Sequence, residues 1–236
     1  DPSPITQTED LARFCAWLAT VPYVTVDTEF MRETTYWPKV CLIQIGGPEE
    51  ARVIDPLAED LTLEPQFDLL RNRQVPKVFH AARQDLEIFT KLMGEVPAPL
   101  FDSQVAAMVC GFGDQVSYEQ LASKLAGAQI DKSSRFTDWA RRPLTEKQIR
   151  YALSDVTHLR KIYDKLSARL QKTGRSEWLG EEMAILADPA TYNLPPETLW
   201  RRHNPRTTKP QYLAVRQAAP AWREVEARNR DIPRQR

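Results

Sequence analysis

"VTVDTEF", residues 24–30, decides the fold. It has the apolar character of a buried strand, broken by acids at its fourth and sixth letters. Side chains alternate along a strand, so Thr25, Asp27 and Glu29 share one face while Val24, Val26 and Phe30 line the other. The two carboxylates then lie about 6.5–7 Å apart along the backbone and can converge on one point. An edge strand with a wet outer face would carry such acids as well.

Downstream, "KVCLIQIGG" reads as a second strand ending in a Gly-Gly turn, and "ARVIDPL" as a third. Connections this short predict an antiparallel meander. Upstream, "TEDLARFCAWLATV" places Leu11, Phe14, Cys15 and Leu18 at helical spacing behind Thr8, a candidate N-cap. "PQFDLLRNRQV" reads as a helix, "KVFHAA" as a short strand, and "RQDLEIFTKLMG" as a helix stopped at Gly94. Helical spacing continues through "SQVAAMVCGF" and "YEQLASKLAG". "DKSSRFTDWARRPL" is a polar, basic loop with two aromatics. Thr145 then caps a long helix, "EKQIRYALSDVTHLRKIYDKLSARLQ", whose stripe Ala152, Val156, Leu159, Tyr163, Leu166 and Leu170 faces a core. The fold class is therefore α/β: a mixed sheet, three antiparallel strands followed by parallel ones, flanked by helices.

Length and composition agree. The 236 residues, 42% hydrophobic, suit one large domain with an appendage. The main domain is expected over residues 1–186, a proline-rich linker over 187–210, and a helical tail, interrupted by Pro220, over 211–236. The chain begins at Asp1 without a methionine, so a partial sequence is expected. No apolar run approaches the roughly 18 residues that span a bilayer, so a soluble, cytoplasmic protein without a membrane partner is expected. Cys15, Cys41 and Cys110 are widely spaced in apolar surroundings and read as small buried hydrophobes rather than disulfide or zinc ligands. Formal charge is zero, yet residues 201–236 hold ten Lys and Arg against three acids, leaving an acidic body. A basic tail on an acidic body suits a polyanionic partner, and a solvated basic helix would look the same.

Two further acids stand out. Tyr151 and Asp155 are four residues apart on the long helix, with Asp155 at the margin of the apolar stripe. Asp85 follows the strand end "VFHAA" in the first helical turn, where the helix dipole also favours an acid and where ligands gather in such sheets. If these strands are neighbours and the helix crosses them, four carboxylates face one cleft. Each close pair costs up to about 4 kcal/mol at 4 Å and an effective dielectric near 20, so a cation must offset them. Oxygen-only ligands select hard ions, and a four-acid cluster suits two Mg²⁺ or Mn²⁺ ions about 3.5–4 Å apart.

"DTE" in a strand, "HAARQDLEIF" opening a helix and "YALSDVTHL" within a later one resemble, in order and spacing, the three motifs of the DEDD 3′-to-5′ exonuclease superfamily. Tyr151 marks its DEDDy branch. "DKSSRFTDWARRPLTEKQIRYALSDV" resembles the ribonuclease D family, and "WREVEARNRDIPR" the first helix of the HRDC domain that follows there. The resemblance implies an RNase H-like fold and hydrolysis of RNA from its 3′ end, of the tRNA-precursor processing type, releasing 5′-monophosphates. It implies two ions held by Asp27, Glu29, Asp85 and Asp155. Asp27 would bridge them, Glu29 and Asp155 would complete the water's site, and Asp85 would act through water. Tyr151, with a phenol pKa near 10, orients that water rather than deprotonating it.

Phe30 and Met31 are candidates for contacting the terminal nucleotide, His80 for touching substrate, and Lys132, Arg135 and Arg142 for gripping phosphates, with Trp139 anchoring their loop. Phe30 and Met31 are equally readable as core, and His80 as a satisfied structural group. A monomer is expected. Single-stranded DNA hydrolysis with the same chemistry is the nearest alternative, and a non-catalytic nucleic-acid-binding module a more distant one.

Overall fold

The computed structural model describes residues 3–31 and 39–192. The linker beyond residue 192 and the basic, HRDC-like tail with Pro220 lie outside the described residues.

The opening stretch and the residue after it, Val24–Met31, form strand β1 at the middle of a five-stranded sheet. β2 (Lys39–Gly46) and β3 (Ala51–Ile54) pair antiparallel on one side. β4 (Lys77–Phe79) and β5 (Leu100–Asp102) pair parallel on the other, giving the order β3-β2-β1-β4-β5. The meander expected from the short connections is present, and Gly46 remains in the ladder opposite Thr25 while the turn closes from Gly47 N–H to the Glu50 carbonyl.

Alternation along β1 separates two cores. Val24 and Val26 join Ile43, Ile45 and Ile54 beneath α1 (Thr8–Leu18), α2 (Glu64–Arg71) and α3 (Arg83–Met93). On the opposite face α4 (Ser103–Val109), α5 (Tyr118–Ala126) and α6 (Glu146–Thr173) pack with Val78, and α7 (Ser176–Ala187) closes the end through Leu179. Three-residue β5 and the whole of α7 carry no periodic signal in the sequence. Packing also continues past the expected boundary at residue 186, because a short 3₁₀ turn at Pro189–Tyr192 seats the Tyr192 ring in the first core.

Caps set the ends of the helices that matter most. Thr145 accepts from Gln148 N–H at 3.1 Å while Gln148 Oε1 accepts from Thr145 N–H at 3.0 Å, a reciprocal capping box that starts α6 as expected. Gly94 ends α3 with a positive φ of 77°. Thr8 departs from expectation. It is the first helical residue, after Gln7, and its hydroxyl bonds the Asp60 carbonyl and Thr62 N–H instead, fastening α1 to the loop before α2. Cys15 and Cys41 are buried and free as expected, whereas Cys110 is half-buried.

Candidate active site

β4 pairs with β1 only at Val24 and Thr25 and then stops, so among the described residues no strand flanks the C-terminal half of β1 on that side. The notch beside Asp27 receives Asp85 from the first turn of α3. The placement depends on a tight loop in which Ala81 takes a positive φ of 53°. Asp102, the N-cap of α4, holds that loop: its carboxylate accepts from the N–H groups of Ala81 (3.0 Å), Ala82 (2.8 Å) and Gln104 (2.9 Å). Asp85 is 6% exposed and accepts a hydrogen bond from Thr28.

From the other face, α6 crosses β1, β2 and β3 and brings Asp155 over the strand acids. Two hydrogen bonds seat it there, from Thr25 Oγ1 to the Val156 carbonyl (2.7 Å) and from the Tyr118 hydroxyl to the Ser154 carbonyl (2.6 Å). An oxygen of each of Asp27, Glu29 and Asp155 lies within 4.8 Å of the others. Asp85 and Asp155 lie close enough to Asp27 for their charges to act on it.

Burial is the main cause that raises the pKa of each of the four acids. It drives Asp27 well above the usual carboxylate range, with the charges of Asp85, Asp155 and Glu29 adding to it. Burial and the Asp155 and Asp85 charges push Glu29 up to about 9. Asp85 and Asp155 reach about 7, burial again leading and hydrogen bonds from their neighbours pulling back. Among the described residues none of the four has a Lys, Arg or His ion pair, and Gln44 is the amide that meets them, donating from Nε2 to Asp27 and Glu29 at 3.4 Å each. An all-oxygen donor set with so little internal compensation fits a divalent metal such as Mg²⁺ or Mn²⁺.

Asp27 and Asp155 open into a cleft of about 370 Å³ that is also lined by His80, Tyr118, Lys132, Arg135 and Tyr151, whereas Glu29 and Asp85 are not among its lining residues. Tyr151 leans on Trp139, ring centroids 6.0 Å apart, and burial with the nearby acids raises its pKa. His80 has both ring nitrogens engaged, Nδ1 with Ser103 Oγ (2.7 Å) and Nε2 with the Val116 carbonyl (3.1 Å), while burial lowers its pKa. The Val116 carbonyl can only accept, so Nε2 carries a proton, while the Ser103 hydroxyl can donate to Nδ1 or accept from it.

The remaining expected site residues divide. Lys132 lines the cleft 3.8 Å from Glu119, and Arg135 lines it beside Lys132. Met31 packs against the Trp139 cluster with Tyr151, and Phe30 is half-buried after an irregularity in the β1–β2 register. Arg142 requires a correction. Its guanidinium bonds Asp55 through Nε (3.1 Å) and Nη2 (2.9 Å), and also the carbonyls of Trp139 and Cys41. A fork so engaged braces the loop against β2 and β3 and is not free for phosphate. Trp139 is the anchor expected of it, 2% exposed with its indole N–H on the Arg135 carbonyl.

Gln44, Thr25, Thr28, Asp102 and Tyr118 were not singled out from the sequence. Gln44 alone had a visible signal, a polar residue inside the apolar run "CLIQI". The others act through partners distant in the chain.

Comparison with known proteins fits this geometry. The chain is 57% identical to a ribonuclease D of Granulibacter bethesdensis over 237 residues, covering all of this chain and 60% of that one. It spans about 60% of the length of the first curated relatives it matches. Among solved structures, Escherichia coli RNase D, described as an exoribonuclease involved in structured RNA processing, superposes with a TM-score of 0.82 at 34% identity, over 98% of this chain and 62% of that one. Brucella melitensis NrnC with bound Mg²⁺ gives 0.65 at 26% identity, over 79% and 88%. A family model described as 3′-5′ exonuclease matches residues 2–171, which include all four acids and Tyr151, and the chain belongs to that family.

Proposed function

We propose that this chain is the catalytic part of a 3′-to-5′ exoribonuclease that trims RNA 3′ ends, tRNA precursors among them, by hydrolysis to 5′-monophosphates with two divalent ions, Mg²⁺ or Mn²⁺. The observation that carries the reading is the convergence of Asp27, Glu29 and Asp155 on one point, with Asp85 near Asp27 and, among the described residues, no Lys, Arg or His ion pair to any of the four. Bound there, the ions supply a water of lowered pKa and balance charge on the departing 3′ oxygen.

The protein's own groups do the rest. Asp27, close to both Asp85 and Asp155, would help to hold both ions, and Glu29 and Asp155 would hold the one that activates the water. Tyr151 keeps its phenolic proton at neutral pH, because burial and the acids raise its pKa, so it orients the water by a hydrogen bond and does not deprotonate it. Lys132 and Arg135 meet the phosphates where the strand enters. Similarity to the ribonuclease D proteins supports RNA as the substrate.

A time course on 5′-labelled RNA with Mg²⁺ or EDTA, beside a DNA of the same sequence, tests this. The expected result is a ladder shortening from the 3′ end of RNA, abolished by EDTA and by Asp155→Ala. Preference for DNA would end the ribonuclease assignment, and cleavage from the 5′ end or inside the strand would end the exonuclease one.

A further inference from the structure

The loop that carries Lys132 and Arg135 also carries Phe136, which is 91% exposed. The other large apolar side chains exposed among the described residues, Leu92, Trp178 and Ile185, reach at most 61%. A lone apolar residue on a surface is ordinary. This one differs in its support and in its neighbour.

Its support is rigid. Ser134 and Trp139 on either side of Phe136 are buried, Thr137 Oγ1 donates to the Ser134 carbonyl at 2.7 Å, and Gln148 Nε2 donates to Thr137 Oγ1 at 3.0 Å. The loop is thus bolted to the first turn of α6, the helix that carries Tyr151 and Asp155. A ring held in water on a fixed loop has lost the freedom to fold back onto apolar surface.

Its neighbour is Arg135, a lining residue of the catalytic cleft, whose guanidinium lies 5.2 Å from the Phe136 ring centroid. A second hollow of about 310 Å³, lined in part by Ser134, Lys147, Arg150 and Tyr151, lies along the same loop. An exposed ring stacked on a cation that lines the catalytic cleft, on a loop that also borders a hollow carrying Lys147 and Arg150, has the components that bind single strands: aromatic faces for bases and cations for the backbone.

We propose that Phe136, with Arg135 behind it, is a stacking platform for a base of single-stranded RNA upstream of the scissile phosphate, an inference that rests on the exoribonuclease reading. The platform sets how tightly the strand is held and leaves the chemistry at the acids untouched. A base stacks on any aromatic face, so the contact does not select sequence.

Equilibrium binding of single-stranded RNA carrying 2-aminopurine at successive positions, measured on the Asp155→Asn protein with and without Phe136→Ala or Phe136→Trp, tests the contact without turnover. The expected result is fluorescence quenching at one upstream position, lost with Phe136→Ala together with about tenfold in affinity, and kept with Phe136→Trp. In an otherwise wild-type protein, Phe136→Ala should raise KM for an oligomer about tenfold at unchanged kcat, and leave hydrolysis of a dinucleotide as it was. Because the side chain is exposed, truncation does not threaten the fold. If wild type binds and trims RNA but Phe136→Ala matches it in affinity, quenching and KM, the platform is wrong and the exonuclease reading stands. A protein that binds no RNA overturns both. One that binds and shows the Phe136-dependent quench without metal-dependent trimming overturns only the exonuclease reading.

Discussion

Gln44 faces two acids through one nitrogen and leaves its own Oε1 buried with no hydrogen-bond partner among the described residues. A buried orphan acceptor costs about 1–3 kcal/mol, so this side chain is poorly explained as a stabiliser and well explained as an aligner of carboxylates. Gln44→Leu removes the donor and the orphan together. Its melting temperature should hold or rise, while the Mg²⁺ concentration for half-maximal activity increases about 10- to 100-fold, as outer-sphere partners of metal ligands typically behave. Tyr151→Phe keeps the ring against Trp139 and removes only the hydroxyl. It should lower kcat about 100-fold with metal activation unchanged, which a metal titration of both proteins would show. That Asp27 and Glu29 share one face of a strand, and Tyr151 and Asp155 one face of a helix, was legible because both periods fix direction locally, whereas Asp85 was marked only by its place after a strand end. Arg142 was not legible, since Asp55, its ion-pair partner, lies 87 positions away and charge alone does not say where a fork is spent.

At the scale of elements, the site exists because α6 can approach the sheet closely. A Cβ on Gly46 would lie 2.4 Å from Thr25 Oγ1 and 3.1 Å from the Val156 carbonyl, the two atoms whose hydrogen bond seats the helix. Gly46→Ala should therefore lift α6 and cost about 1–3 kcal/mol, measured by denaturant melting. Activity should fall by more than the lost folded fraction, because Asp155 moves with the helix. Asp102→Ala tests the opposite face. It frees three backbone N–H groups and relaxes the positive-φ turn at Ala81, so it should cost about 2 kcal/mol or more and weaken Mg²⁺ activation through Asp85. The elements that escaped sequence reading are those with little periodicity to read. β5 is three residues long, and α7 buries only Leu179 while Trp178 and Ile185 stay in solvent. The long helix and the β1–β3 meander were legible because caps, a continuous stripe and short turns act between near neighbours.

For the molecule as a whole, the acid cluster links folding, protons and metal. In the unfolded chain these carboxyls titrate near 4, whereas in the fold Glu29 is pushed up to about 9 and Asp85 and Asp155 to about 7, chiefly by burial. Between those limits the metal-free fold holds protons that the unfolded chain has released, so stability must fall as pH rises. Their stabilising contribution is complete below about pH 4 and is lost through pH 7 and on towards 9. Lys77 works in the opposite sense: burial lowers its pKa to about 8, so its unfavourable contribution is relieved as pH climbs above that value. A divalent ion displaces the cluster's protons, so its affinity rises over the window in which the metal-free site weakens. Subtracting melting curves in EDTA from those in Mg²⁺ cancels Lys77 and isolates the acids. The Mg²⁺-induced rise in Tm should grow from about pH 5.5 to about pH 9, and adding Mg²⁺ to weakly buffered protein near pH 7 should release protons. Asp27→Asn should flatten both responses, since it removes the carboxylate that lies close to both Asp85 and Asp155. A Mg²⁺ effect on Tm that stays constant across this range would mean that the ion binds elsewhere.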